Sequence, residues 1–259
     1  MSARSIKIGV MDSGLGGLSV LNELTNLIPT AEYIYYGDLK NSPYGNKSPQ
    51  VIFKFVEEIC NFFMGQDVSA IVVACNTATS VAISELRKKF PIQIFGMEPA
   101  IKPALLENPN EKIALLATPL TLKEEKYLNL EKSLDAVNRI IPIACDGLAT
   151  LIDKADFTAI EEYLKPIIED INKESIRTIV LGCTHYVLIK SIFYQLKNNI
   201  HIYDGNKGTA NHVSKSLITF PYQIDTRLDI FLNGGTDLDF EIAYSYLNQF
   251  QNGDTNYVK

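Results

Sequence analysis

From residue 6 to residue 181, short β-branched and apolar runs alternate with segments of helical periodicity, and that alternation leaves few folds open. Residues 6–11, 33–36, 70–74, 92–95, 113–116, 140–143 and 178–181 read as strands. Ala70-Ile71-Val72-Val73-Ala74 is continuously apolar, the pattern of a parallel strand buried on both faces, and the runs that follow it are similar. Between the strands lie amphipathic stretches. One runs from about Gly17 to Ile28 and is closed by Pro29. Another opens at Ser48-Pro49, with Ser as N-cap and Pro in the first turn, and carries a stripe of Val51, Ile52, Phe55, Val56, Ile59, Phe62 and Phe63. Strand–helix alternation of this kind predicts an α/β fold of mostly parallel sheets flanked by helices.

The 259 residues suffice for one large domain or two modest ones, at roughly 100–200 residues per domain. The net charge of −6 comes without a basic stripe, which argues against a nucleic-acid partner but not against a small anionic substrate. No apolar run approaches the ~20 residues of a membrane span, and no signal peptide follows Met1, so a cytoplasmic chain with no membrane partner is expected. The four cysteines, Cys60, Cys75, Cys145 and Cys183, show no Cys-x-x-Cys pair and no disulfide framework.

Three motifs carry chemistry. Asp12-Ser13-Gly14-Leu15-Gly16-Gly17 joins the first strand to a helix, where glycines let the backbone approach a ligand. It departs from the dinucleotide fingerprint at Ser19 and places Asp12 where phosphate would sit, although Asp38 stands near the ribose distance. The other two motifs echo each other: Ile71-Val72-Val73-Ala74-Cys75-Asn76-Thr77 and Ile179-Val180-Leu181-Gly182-Cys183-Thr184-His185. Each places a thiol where a buried strand meets a helix N-terminus, at the sheet edge where α/β proteins bind ligands. The helix dipole is expected to lower the Cys75 pKa. Asn76 and Thr77 could hold a carboxylate, and His185 could act as acid or base beside Cys183. A metal on Cys75, Cys183 and His185 would need a further ligand that the sequence does not announce. Cys60 and Cys145 read as structural. Two facing thiols suit inversion at an amino-acid Cα: one takes the proton from one face, the other returns a proton to the opposite face, and no cofactor is needed.

These residues resemble the glutamate racemase family, the cofactor-independent two-cysteine racemases. Five segments match in order: residues 12–20, Tyr36-Gly37-Asp38 with Pro43-Tyr44-Gly45, residues 73–78, Glu98-Pro99-Ala100 with Lys102-Pro103-Ala104, and residues 181–186. The resemblance implies two similar α/β domains with the active site in the cleft between them, the first formed by residues 1–97 plus 213–259 and the second by residues 98–212. It implies that Cys75 exchanges the proton with D-glutamate, assisted by Asp12, and Cys183 with L-glutamate, assisted by His185. Substrate contacts would come from Asp12, Ser13, Pro43, Tyr44, Gly45, Asn76, Thr77, Thr118, Thr121, Thr184 and His185. It further implies no cofactor, no metal, a homodimer, and D-glutamate supplied for peptidoglycan and cell-wall biogenesis.

The chain departs from the family pattern at Val187, at Asp146-Gly147, at Asp204-Gly205, and at Asp153, which stands in for a family Glu near His185 and, being shorter, would reach less far. An aspartate or broader-specificity racemase is the nearest alternative, and its second loop would carry Glu where His185 stands. A nucleotide-dependent oxidoreductase or a catalytically inactive binding protein are alternatives of other classes. The first of these leaves the paired Cys loops unexplained.

Overall fold

In the computed structural model, described for residues 6–125, 128–129, 132, 138–217 and 227–251, the described strands form two all-parallel sheets. The strands are β1 (Lys7–Asp12), β2 (Glu32–Gly37), β3 (Ala70–Val73), β4 (Gln93–Gly96), β5 (Ile113–Ala117), β6 (Ile140–Ala144), β7 (Thr178–Leu181), β8 (His201–Asp204) and β9 (Leu228–Leu232). Five of them make one sheet in the order β4-β3-β1-β2-β9, and four make the other in the order β6-β5-β7-β8. The helices are α1 (Leu18–Leu27), α2 (Pro49–Gly65), α3 (Asn76–Lys89), α4 (Ile101–Glu107), α5 (Pro119–Lys123), α6 (Leu148–Asp153), α7 (Phe157–Lys173), α8 (Thr184–Leu188), α9 (Lys190–Leu196), α10 (Asn206–Ser216) and α11 (Asp237–Gln251). Among the described residues no helix is long and apolar enough to cross a membrane.

The seven strands read from the sequence are present, each within about a residue of its expected ends. Their burial is less uniform than expected. The inner strands β3, β5 and β7 are buried at every position, but β4 and β6 have exposed side chains because they are edge strands with a neighbour on one side only. Pro142, opposite Leu115 in β6, fits that placement, since proline lacks the ladder N–H. On α2 the buried face is Ile52, Val56, Ile59, Cys60 and Phe63, whereas Val51 is 39% exposed and lies off the core stripe. Strands β8 and β9 were not anticipated. Both are edge strands, and β9 returns from the far end of the chain to pair with β2 from Tyr33↔Leu228 to Gly37↔Leu232.

The topology decides where chemistry can sit. In the first sheet the chain passes from β1 to β2 on one side and then to β3 on the other. In the second it passes from β5 to β6 and then to β7. A crevice opens at the carboxyl ends wherever the strand order reverses in this way. The two crevices lie at β1/β3 and β5/β7; Ser13 and Thr118 directly follow β1 and β5, and Cys75 and Cys183 stand two residues past the ends of β3 and β7. The carboxyl ends of the two sheets meet. Helix α1 packs against α8, α10 and α11, and α5 packs against α3 and the short turn Tyr44–Asn46.

Candidate active site

Asp12 ends β1 and is fully buried. Its Oδ1 accepts the Gly14 backbone N–H at 3.0 Å, and its Oδ2 accepts the Thr184 hydroxyl at 2.9 Å across the junction between the sheets. Cys75 caps α3: its Sγ accepts the Ala78 N–H at 3.4 Å and lies 3.6 Å from Ser13 Oγ. Cys183 holds the equivalent position before α8, with His185 Nδ1 3.8 Å from its sulfur. His185 also lies 3.9 Å from Asp12 Oδ1, and its Nε2 is 2.9 Å from Asp153 Oδ1. Thr77 from the first sheet and Thr118 and Thr121 from the second join their hydroxyls at 2.9–3.1 Å. A Cβ added at Gly45 would come 3.0 Å from Thr118, so the Pro43-Tyr44-Gly45 segment borders the same junction.

The glycine-rich turn is explained by what presses on it. A Cβ at Gly16 would sit 2.5 Å from the His185 backbone N and Nδ1, and one at Gly14 would sit 2.5 Å from Asp153 Oδ2. The glycines let the His185 loop close onto the β1–α1 turn. The two thiols are presented from separate sheets, each with a titratable neighbour, Asp12 for Cys75 and His185 for Cys183.

Residues 8–213 match the family described as Asp/Glu/Hydantoin racemase. The chain belongs to that family. A glutamate racemase of Leptospira interrogans is 53% identical to this racemase over 212 residues, covering 82% of this chain and 83% of the relative. One from Leptospira borgpetersenii is 47% identical over 254 residues, covering 95% and 98%. The structure of Escherichia coli glutamate racemase, in complex with L-glutamate and the activator UDP-MurNAc-Ala, superposes with a TM-score of 0.82 at 29% identity, covering 95% of this chain and 96% of that one.

The electrostatics of the racemase depart from the sequence reading at Cys75. Burial pushes its thiol up to about 12, with the Asp12 carboxylate and Cys183 adding to the rise, against the Ala78 N–H and Ser13. The N–H at the helix N-terminus pulls this pKa down but is outweighed, because a buried sulfur loses more solvation on ionising than one N–H at 3.4 Å restores. Burial likewise raises Asp12, against the pull of His185, Gly14 and Thr184. At His185 burial opposes the charge, but the Asp153 carboxylate, its hydrogen bond and Cys183 together hold the imidazole well above its ordinary value. Asp153 does reach it, because α6 brings the shorter side chain up to the ring.

Some members of this constellation escaped sequence reasoning. The Leu15 N–H and the Ser42 hydroxyl donate to Asp153 at 2.9 and 3.3 Å, so both sheets share that carboxylate. Asn206 donates to Ser19 Oγ at 2.9 Å, another link across the junction. No local pattern marks Ser42 or Asn206, since their partners lie more than 100 residues away. Cys60 lies in the core of α2, and Cys145 is buried beneath Tyr186, whose hydroxyl donates to its carbonyl at 3.0 Å.

Proposed function

We propose that this racemase interconverts L- and D-glutamate with two thiols and without a cofactor. One observation carries the reading: Cys75 and Cys183 stand at the meeting carboxyl ends of two parallel sheets, each with its own neighbouring titratable group. In the L-to-D direction Cys183, with His185 Nδ1 at 3.8 Å, takes the Cα proton. Cys75, a thiol at neutral pH, gives its proton to the opposite face of the carbanion. One proton leaves the substrate and one returns, so the enzyme ends with its two thiols exchanged in protonation. In the reverse direction Cys75 must first become a thiolate, and Asp12, raised by burial, is the adjacent base.

The polar set Ser13, Pro43, Tyr44, Gly45, Asn76, Thr77, Thr118, Thr121 and Thr184 would bind the substrate. Donors from both sheets suit a molecule with two carboxylates. The two units are residues 1–97 with 213–259 and residues 98–212; the pairing of β9 with β2 supports the first, and α10 runs through residue 213. Glutamate rather than aspartate is favoured by His185 in the second loop and by the names of the similar proteins. The four free cysteines suit a reducing cytoplasm. Feeding D-glutamate into peptidoglycan is the role that accords with the activator UDP-MurNAc-Ala bound to the E. coli relative.

The test is circular dichroism of L-glutamate with purified protein and nothing added, together with L-aspartate in parallel. Decay of the glutamate signal is expected, with Cα deuteration in heavy water. Cys75→Ser and Cys183→Ser should each lose racemisation by orders of magnitude. Decay with aspartate alone would move the substrate assignment, and an unchanged signal with both would remove the racemase reading.

A further inference from the structure

Asp38 follows β2 and is 1% exposed, yet its carboxylate meets donors from three residues. Oδ2 accepts the Tyr44 hydroxyl at 2.6 Å, and Asn41 Nδ2 reaches both oxygens at 3.1 Å. Oδ1 accepts Asn233 Nδ2 at 2.7 Å, from a residue 195 positions away at the end of β9. Asn233 is itself fixed to the same stretch: its N–H donates to Gly37 O at 2.8 Å, and its carbonyl accepts the Lys40 N–H at 2.7 Å. The Asp38 N–H donates to Asp12 O at 3.0 Å, so this carboxylate is built onto the same backbone as the acid–base residue. Beyond it the Tyr44 ring is buried, packs on Phe55, and delivers Gly45 against Thr118.

We infer that Asp38 and Asn233 are positioning residues: they fix Tyr44, and through it the Pro43-Tyr44-Gly45 segment, in the geometry that receives substrate. Neither is assigned a part in the proton transfer. A buried carboxylate satisfied by several donors holds one rotamer, so the orientation of the Tyr44 hydroxyl is set before substrate arrives. Asn233 supplies the one side-chain donor among these that comes from outside the segment 38–44. The end of β9 therefore completes a substrate loop formed near the start of the chain. The inference rests on the reading that Pro43, Tyr44 and Gly45 bind glutamate.

The experiment is steady-state racemisation in both directions by the full chain, its Asn233→Ala variant and its Asn41→Ala variant, with thermal melting of each. We expect Asn233→Ala to raise KM about tenfold for both enantiomers while kcat stays within about threefold, and Asn41→Ala to raise KM about threefold, as loss of uniform binding requires. A purely structural role would lower the active fraction, and so kcat, at unchanged KM. Folded Asn233→Ala with unchanged KM, or with a loss confined to kcat, overturns the inference. If Asn233→Ala does not fold, Asn41→Ala decides, with a raised KM supporting the inference and an unchanged one overturning it. Wild-type protein that leaves glutamate untouched overturns the glutamate reading and this inference with it, whereas silent variants of an active enzyme overturn this inference alone.

Discussion

Asp153 Oδ1 lies 2.9 Å from His185 Nε2, and the same oxygen accepts the Leu15 N–H at 2.9 Å. A single carboxylate thus pulls the pKa of the imidazole on the Cys183 side upward and holds the glycine-rich turn of the first sheet against it. The contact between the two sheets and the basicity of His185 therefore depend on the same side chain.

Replacing Asp153 by Asn should separate the two effects. The His185 pKa should fall, because the carboxylate is the leading contribution that raises it against burial. Histidine NMR titration would read the fall, and kcat/KM should drop by one to two orders of magnitude, the worth of a charge-assisted hydrogen bond. In the wild type a raised His185 contributes stability that is full below its unfolded value near 6.5 and is lost as pH rises through its higher folded value. The variant should show a smaller such loss in denaturant unfolding. An unmoved His185 resonance would show that Asp153 is not its charge partner.

Gly16→Ala should be damaging while Gly208→Ala is benign. The added methyl at Gly16 meets His185 at 2.5 Å and Thr184 Oγ1 at 2.6 Å, whereas among the described residues nothing lies within 4 Å at Gly208 inside α10. Overpacking of this kind costs about 1–3 kcal/mol, and here it also opens the junction, so activity should fall further than stability. Ala in an open helical site gains about 0.5–1 kcal/mol. Melting temperatures and turnover of the two variants provide the check.

Asp12→Asn and His185→Asn should slow opposite proton transfers. The two enantiomers have equal free energy in water, so kcat/KM must change equally in both directions. The asymmetry belongs in the deuterium isotope effect. Asp12→Asn should enlarge the effect with Cα-deuterated D-glutamate and reduce it with the L form, and His185→Asn should do the reverse. Equal effects from both variants would undo the assignment of faces.

The buried thiols should make the protein sensitive to alkali. Burial pushes Cys60, Cys75 and Cys145 each up to about 12, above the ~8.5 of an unfolded thiol. Over that interval the native state holds protons that the unfolded state has lost. Stability therefore falls as pH rises, by up to about 1.4 kcal/mol per pH unit for each thiol. Denaturant unfolding between pH 8 and 10.5 should give a shallower decline for Cys75→Ser than for wild type. Identical slopes would mean that Cys75 ionises as an ordinary thiol.

What could be read along the chain was whatever has a local physical signature. Strands β3, β5 and β7 announce themselves because burial on both faces demands unbroken apolar residues. The edge strands β8 and β9 mix polar and apolar positions, as in Leu228-Asp229-Ile230-Phe231-Leu232, and look like loop. Cys75 and Cys183 stood out because a thiol between a buried strand and a helix start is a local pattern, and the same holds for Asp12 and its glycines.

The sequence by itself determined the alternation of strands and helices, and with it two thiols at the carboxyl ends of parallel strands. Tertiary structure alone decided their chemistry. The Cys75 thiol is raised rather than lowered because burial, contributed by residues distant in sequence, outweighs the helix N-terminus beside it. Asp153 raises the His185 pKa, and Asn233 bonds the Asp38 carboxylate that holds Tyr44, only because folding brings together groups 32 and 195 residues apart, and solvation and Coulomb energies depend on distance in space rather than along the chain.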